Sequence, residues 1–449
     1  GKADTGLSQL GALASGVPGA LAAYARLAKA HGKLPLRVHL ETAATVAEEG
    51  FAIPAAYAGR IRATAKGLAK FPASGALLFK ADGSPKVAGE LLRQPDLART
   101  YRAIAKEGTG WFYGGPFARR TEVWMKKNGG ILAVKDFANY KTTSPPPVRT
   151  TYRGHTILGM QPPSSGGVHV AQILNILEHF DLGKMDSESA DFYHVITEAM
   201  KLAFADRAHW LGDPAFAKVP RGLVDKAYAK QLAARIRMDR ATPVKTHGTP
   251  PRSTDDLYSK HTTHFSCADG EGNWVAITAT VNTSFGSKVI IPGTGVIMNN
   301  EMDDFSIAPG VPNAFGLIGA EANAVAPGKR PLSSMSPTIV LKDGKPILAV
   351  GAAGGPTIIT QTLLAIIHTI DFDRPLKEAL AQPHFHHQWA PDQIRIEKKA
   401  GEKVLAELRL RGHTLKVYDR MGATQAVAVR DGKFEAAHDP RLKGKATAY

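Results

Sequence analysis

His261-Thr262-Thr263-His264-Phe265-Ser266-Cys267-Ala268, then Asp269-Gly270-Glu271-Gly272-Asn273, then Trp274-Val275-Ala276-Ile277-Thr278-Ala279-Thr280-Val281-Asn282 reads as two β-strands joined by a polar, glycine-containing turn. Side chains alternate faces along a strand. Thr262, His264 and Ser266 therefore share one face of the first strand. Thr278, Thr280 and Asn282 share one face of the second, and Val275, Ile277, Ala279 and Val281 share the other. Such a pair is half core and half site. By itself it fits an ordinary sheet equally well, because β-branched threonine favours strands anyway. Cys267 falls on the aliphatic side, where a buried, inert thiol is expected.

The residues before this pair sharpen the reading. Positions 236–260 run IRMDRATPVKTHGTPPRSTDDLYSK, with Pro243, Pro250 and Pro251 among many polar groups. That composition predicts an exposed, irregular connection, and loops of this length inside a compact domain are usually functional. It ends where regular structure begins, so it reads as a cleavage loop that makes Thr262 a new N-terminus. A threonine hydroxyl needs a base to act as a nucleophile. A free α-amine, with a pKa of about 7.7–8.0, supplies one within the same residue. Before cleavage the same hydroxyl can attack the carbonyl of His261, and hydrolysis of the resulting ester frees the amine.

Further stretches carry a resemblance. They are MQPPSSGGVHVAQILNILE (160–178), ADRAHWLGDP (205–214), TTHFSCADGEGN (262–273), VNTSFG (281–286), NNEMDDFS (299–306), PGVPN (309–313), ANAVAPGKRPLSSMSPTIV (322–340), AAGGPTIIT (352–360) and PHFHHQW (383–389). With them the chain resembles the γ-glutamyltranspeptidase family of N-terminal-nucleophile hydrolases over nearly its whole length. The resemblance implies an α+β fold, a four-layer αββα sandwich of two stacked, largely antiparallel sheets covered by helices. It also implies a precursor cut between His261 and Thr262 into residues 1–261 and 262–449, which stay together as one globular unit. In the family, the residue matching Thr262 is the nucleophile and the one matching Thr280 orients it. The matches to Gly354 and Gly355 form the oxyanion hole. Those to Asn282, Glu301 and Asp304 hold the α-amino group of a γ-glutamyl donor, and those to Ser333 and Ser334 contact its α-carboxylate.

Composition bounds the alternatives. The chain has 449 residues, 44% of them apolar, and a mean hydropathy of −0.15, values that suit a globular protein with a sizeable core. One cysteine excludes an intramolecular disulfide and leaves the redox compartment open. A net charge of +16 would permit anionic partners. The basic residues are scattered, however, with Arg119-Arg120 and Lys126-Lys127 as mere pairs, and a solvated basic surface is the expectation. No nucleic-acid partner, metal or cofactor is expected. The longest apolar region, 347–370, is broken by Gly354-Gly355-Pro356 and Gln361, so no transmembrane helix is expected.

Along the chain, helices are predicted at 17–49 (with a new start at Pro35), 55–70, 96–107 and 120–133, the last stopped by Asn128-Gly129-Gly130. Pro145-Pro146-Pro147 forces an extended link before a strand pair at 149–160. Ser164 or Ser165 is placed to cap the next helix, and a core helix follows at 188–211. The acidic trio Glu301, Asp303 and Asp304 fits a solvated loop or an ammonium site. Residues 306–330 resemble the lid of the family's bacterial members, with Phe315 where some members have a tyrosine. Phenylalanine can wall a pocket but cannot donate a hydrogen bond. After the strand at 347–350, Gly351 to Gly355 turn the chain into a helix begun by Pro356. Glycine backbone N–H groups at a helix N-terminus favour a developing anion. His384, His386 and His387 invite a metal reading; adjacent strand positions face opposite ways, and they are expected to be structural.

The reaction expected is cleavage of γ-glutamyl amides such as glutathione, with transfer to water or an amino acid, outside the cell or in the periplasm. An acylase of the same fold acting on glutaryl groups, or a non-catalytic relative, stays open. The chain begins at Gly1 without a signal peptide, and its match begins near Ser15-Gly16-Val17-Pro18-Gly19. It is therefore expected to lack an N-terminal region that carries an arginine for the donor's carboxylate, with Lys329 or Arg330 as the fallback.

Overall fold

The structure, a computed structural model, describes residues 4–251, 264–308, 310–442 and 444–448. They fall into two compact units. The first comprises Gly1–Thr143 and Val281–Asp303, the second Ser144–Thr280 and Asp304–Tyr449.

The first unit is mainly helical. Its longer helices are α1 (Ala20–His31), α2 (Leu36–Glu49), α3 (Ala55–Leu68), α4 (Pro95–Glu107) and α5 (Pro116–Lys127), and strands β1 (Phe51–Ala52) and β2 (Leu91–Leu92) pair antiparallel. Prolines at or just before the first turn start four of them, where the missing N–H costs nothing. Phe112 stacks on Phe117 with centroids 3.9 Å apart, and Phe137 meets Phe117 edge-on. The segment 281–303 supplies Val289, Ile291 and Met298 to this aromatic core. Ser74 Oγ holds it there by donating to Lys288 O at 2.6 Å, and Met298 N–H to Val289 O at 2.8 Å closes the segment on itself.

The second unit is layered. A six-stranded antiparallel sheet runs in the order β13-β12-β8-β7-β4-β3. Its strands are β3 (Val148–Tyr152), β4 (His155–Gly159), β7 (Thr338–Lys342), β8 (Lys345–Ala353), β12 (Ala423–Arg430) and β13 (Lys433–His438). A second antiparallel layer is the hairpin β5 (His264–Ala268) and β6 (Trp274–Thr278). A third sheet joins β9 (Phe385–His386), β10 (Ile394–Glu397) and β11 (Leu415–Tyr418), with β10 and β11 parallel. Alternation along β8 divides its two faces. Leu348 and Val350 join the helical core, whereas Gly351 faces His264 of the hairpin.

The helices of that core are α6 (Gly166–Leu177), α7 (Ala190–Trp210), α8 (Lys226–Ala233), α9 (Thr357–Ile370) and α10 (Glu402–Leu410). Every residue of α6, and every residue of α7 from Phe192 to Arg207, is buried, as befits helices inside rather than on a surface. Stacked antiparallel sheets with helices on one face of the larger sheet match the αββα class expected. Ser165 stands at the N-cap of α6, but its hydroxyl does not cap the helix; it donates to Ser333 O at 2.7 Å. Among the described residues no helix is long and apolar enough to cross a membrane.

Five histidines of this unit, His169, His264, His368, His386 and His413, are pushed by burial from 6.5 down to about 3. Each stays neutral in the folded protein while the unfolded chain takes up a proton. The stability each contributes is therefore whole above pH 6.5 and is lost as the pH falls toward 3. The loss is on the order of 1.4 kcal/mol per pH unit per ring. We expect the melting temperature to drop as the pH falls below 6. A thermal-melting series from pH 7.5 to 4.5 checks this, and a flat profile would contradict it.

Candidate active site

The hairpin sets the first part of the site. His264 pairs with Thr278 and Ser266 with Ala276 across the ladder. The His264 ring lies 2.9 Å from Thr278 Oγ1 through Nδ1 and 2.7 Å from Ser266 Oγ through Nε2. It rests on Gly351, where a Cβ would come within 2.3 Å of the ring; no other residue leaves room there. The polar face of the hairpin is thus turned inward, between the two sheets. Its other face points outward, with Phe265 43% exposed and Cys267 exposed as well. The buried thiol expected at Cys267 is corrected by this: imidazole and hydroxyls find hydrogen bonds between the layers, so the thiol takes the outer face. The strand β6 ends at Thr278, and Asn282 has a left-handed φ of 71°, so Asn282 does not continue the face that begins at Thr278. Thr280 lies half-buried just past the strand. His261 and Thr262 lie outside the described residues.

The second part is the turn after β8. Gly354 and Gly355 have φ of 133° and 61°, values that glycine adopts at little cost and other residues do not. Thr357 Oγ1 donates to Gly354 O at 2.9 Å, and Gln361 Nε2 donates to Ala353 O at 3.1 Å, which pins the turn to the first turn of α9. Among the described residues, neither the Gly354 nor the Gly355 N–H has an acceptor. Two such donors beside a helix N-terminus form a place for an anion. Phe315 packs over this turn, close enough that a Cβ on Gly355 would lie 2.5 Å from its ring. Gln388 Nε2 holds that loop through Gly316 O at 2.9 Å.

The third part is the serine pair. Ser333 and Ser334 are 1% and 7% exposed. The loop before α6 clamps them: Ser165 N donates to Ser333 O at 2.8 Å, and Ser164 Oγ donates to Met335 O at 2.6 Å. Behind them stands Arg207, 3% exposed, whose Nε donates to Ser165 Oγ at 2.9 Å and whose Nη2 donates to Ser334 Oγ at 3.0 Å. Burial pulls Arg207 down to about 10, with Asp304 opposing. Its neighbour Asp206 points elsewhere, accepting from Gln172, Tyr228 and the Gly248 N–H, and so anchors the chain leading to 251. Lys329 lies over the Phe216 ring, and the Arg330 N–H donates to Asp213 Oδ2 at 2.8 Å. Sequence reading missed Arg207 because the spacing of α7 reads as core; an adjacent Asp-Arg pair on a helix expected to be core was the signal available.

Of the expected site residues, Asn282 and Glu301 belong to the first unit, and Thr280, Asp304, Ser333, Ser334, Gly354 and Gly355 to the second. Asn282 Nδ2 donates to Asn300 O at 2.9 Å. Asp304 Oδ1 accepts from Asn313 Nδ2 at 3.5 Å, and Asn323 Nδ2 donates to the Asp304 carbonyl at 2.7 Å.

His384, His386 and His387 do not converge: they contact Met421 O, Thr360 Oγ1 and Asp392 Oδ1 respectively. A different trio, His194, Glu198 and His413, brings three potential ligand atoms within 4.8 Å of one another. Hydrogen bonds already engage it. Glu198 accepts from Lys201 Nζ at 2.8 Å and Thr242 N at 3.0 Å, and His194 lies 2.7 Å from both His413 Nε2 and Arg237 O.

The family model described as gamma-glutamyltranspeptidase matches residues 1–449. The glutathione hydrolase proenzyme of Escherichia coli K12 is 41% identical over 100% of this chain and 77% of its own length. The acylase ACY 1 proenzyme of Pseudomonas sp. SE83 is 38% identical over 98% of this chain and 76% of its own. Among solved structures, a cephalosporin acylase from Bacillus halodurans superposes with a TM-score of 0.86 at 28% identity, covering 98% of this chain and 79% of that one.

Proposed function

The chain belongs to the γ-glutamyltranspeptidase family, and from that premise we propose that it cleaves γ-glutamyl amides such as glutathione through an ester on Thr262. As a member it is a γ-glutamyl hydrolase and transferase. In the mechanism proposed, the Thr262 hydroxyl attacks the γ-carbonyl and gives its proton to its own α-amine. The oxyanion that forms is held by the Gly354 and Gly355 N–H groups. Collapse expels the amine leaving group, which takes the proton, and leaves a γ-glutamyl ester. Water or the amine of an amino acid then attacks the ester and regenerates the threonine.

Thr280 is the residue proposed to orient the nucleophile. It lies half-buried two positions beyond Thr278, the last residue of β6. Asn282, Glu301 and Asp304 are assigned to the donor's ammonium, and Ser333 and Ser334 to its carboxylate. The observation that most supports the reading is the glycine turn, with two uncommitted N–H groups at the start of a buried helix. Maturation is assigned to the same hydroxyl, acting on the His261 carbonyl. The pieces 1–261 and 262–449 would remain together, since each compact unit draws residues from both. A periplasmic or secreted location goes with this reading.

The acylase relatives favour a second reading, with a glutaryl group in place of γ-glutamyl. That group has no ammonium and would not use Glu301 or Asp304. Intact mass should show two fragments divided between His261 and Thr262. The kcat/KM for a γ-glutamyl anilide should exceed that for the glutaryl anilide by roughly ten- to hundredfold, the worth of hydrogen bonds to one charged group. A glutaryl preference would favour the acylase, and an uncut, inactive chain would end the enzymatic reading.

A further inference from the structure

We infer that Arg207 is a positioning residue for the acyl donor's carboxylate, turning the Ser334 hydroxyl into a donor aimed at that anion. This rests on the assignment of Ser333 and Ser334 to a carboxylate, and extends it to a cation on a helix that spacing assigns to the core.

Arg207 is 3% exposed, and among the described residues no carboxylate lies within ion-pairing distance of it. A buried charge ordinarily has a paired partner, because taking it out of water costs several kcal/mol. Here the guanidinium makes two hydrogen bonds, both to serine hydroxyls. The two serines differ. Ser165 accepts from Arg207 and spends its own proton on Ser333 O, so it is committed on both sides. Ser334 accepts from Arg207 at 3.0 Å, and among the described residues nothing takes its proton. A hydroxyl whose oxygen is held by a cation is a stronger donor, and its free proton points away from the guanidinium. Asp304 attracts Arg207 through space without pairing with it. The field of Arg207 also helps to keep the buried rings of His169 and His386 neutral. Charge, hydroxyl and neutral surroundings together leave a positive site that a carboxylate would complete.

The test is calorimetric binding of three probes to the whole protein. L-Glutamate carries both ammonium and carboxylate at the distal carbon, glutarate lacks the ammonium, and 4-aminobutyrate lacks the carboxylate. They are measured with the unaltered protein, Arg207→Met, Arg207→Lys and Ser334→Ala, with thermal melting as the fold check. Arg207→Met and Ser334→Ala should each weaken glutamate and glutarate by roughly ten- to hundredfold. 4-Aminobutyrate should change less than about twofold, and Arg207→Lys should recover part of the loss. Ser334→Ala keeps the guanidinium in place, so it carries the test if Arg207→Met fails to fold. An equal loss for all three probes, no loss for glutamate, or no binding of glutamate and glutarate by the unaltered protein would overturn the inference. If the unaltered protein binds glutarate as well as glutamate while the pattern across variants holds, the γ-glutamyl reading fails and the role of Arg207 stands.

Discussion

Thr262→Ala should leave a single uncut chain that hydrolyses no γ-glutamyl amide. Two events depend on one oxygen atom. Alanine has no hydroxyl to attack the His261 carbonyl, so the N-to-O acyl shift cannot begin and no new α-amine appears. It also has no nucleophile for the donor, so even a chain cut by an added protease would not form the ester. Loss of an acyl-transfer nucleophile costs on the order of 10⁶-fold in kcat where it has been measured, and here the activity should fall to background. Thr262→Ser separates the steps: it keeps a hydroxyl and should still cut, more slowly, since serine lacks the methyl group that fixes χ1. Gel electrophoresis, intact mass and anilide hydrolysis read all three proteins. A cut Thr262→Ala chain, or an uncut one with undiminished turnover, would remove Thr262 from the mechanism.

Much of this layout was legible in the sequence because it rests on local chemistry. Alternating hydroxyls and aliphatics announced the hairpin, and proline and glycine marked the ends of most helices. Gly354-Gly355-Pro356 showed a strand turning into a helix. What escaped was set by partners far away in the chain. Periodicity says that Phe265 and Cys267 share a face, but not which face is covered; the bonds from His264 to Thr278 and Ser266 decide that. A serine before a helix reads as a cap, yet Ser165 is claimed by Ser333 and Arg207. Arg207 meets Ser334 across 127 positions of sequence, a distance over which no spacing rule operates. The division into two units, each built from two separate stretches of the chain, is likewise a matter of long-range contact.

Gly355→Ala should lower kcat by roughly 10²- to 10³-fold while KM changes only a few-fold. Gly355 has a φ of 61°, a region that costs a residue with a Cβ about 1–2 kcal/mol. The added Cβ would also lie 2.5 Å from the Phe315 ring. The ring is a side chain and can move, but the backbone strain stays and tilts the Gly354 and Gly355 N–H groups. An oxyanion donor is worth about 2.7–4 kcal/mol when aimed at the charge that develops, and that charge exists only in the transition state, so the loss falls on kcat. Melting should drop by only a few degrees for a penalty of this size. The double variant Gly355→Ala/Phe315→Ala separates the two causes. Removing the ring relieves the clash and should restore some stability, yet kcat should stay low because the φ strain is unchanged. Recovery of kcat in the double variant would assign the defect to the ring, and an undiminished kcat in Gly355→Ala itself would rule out this turn as the oxyanion hole.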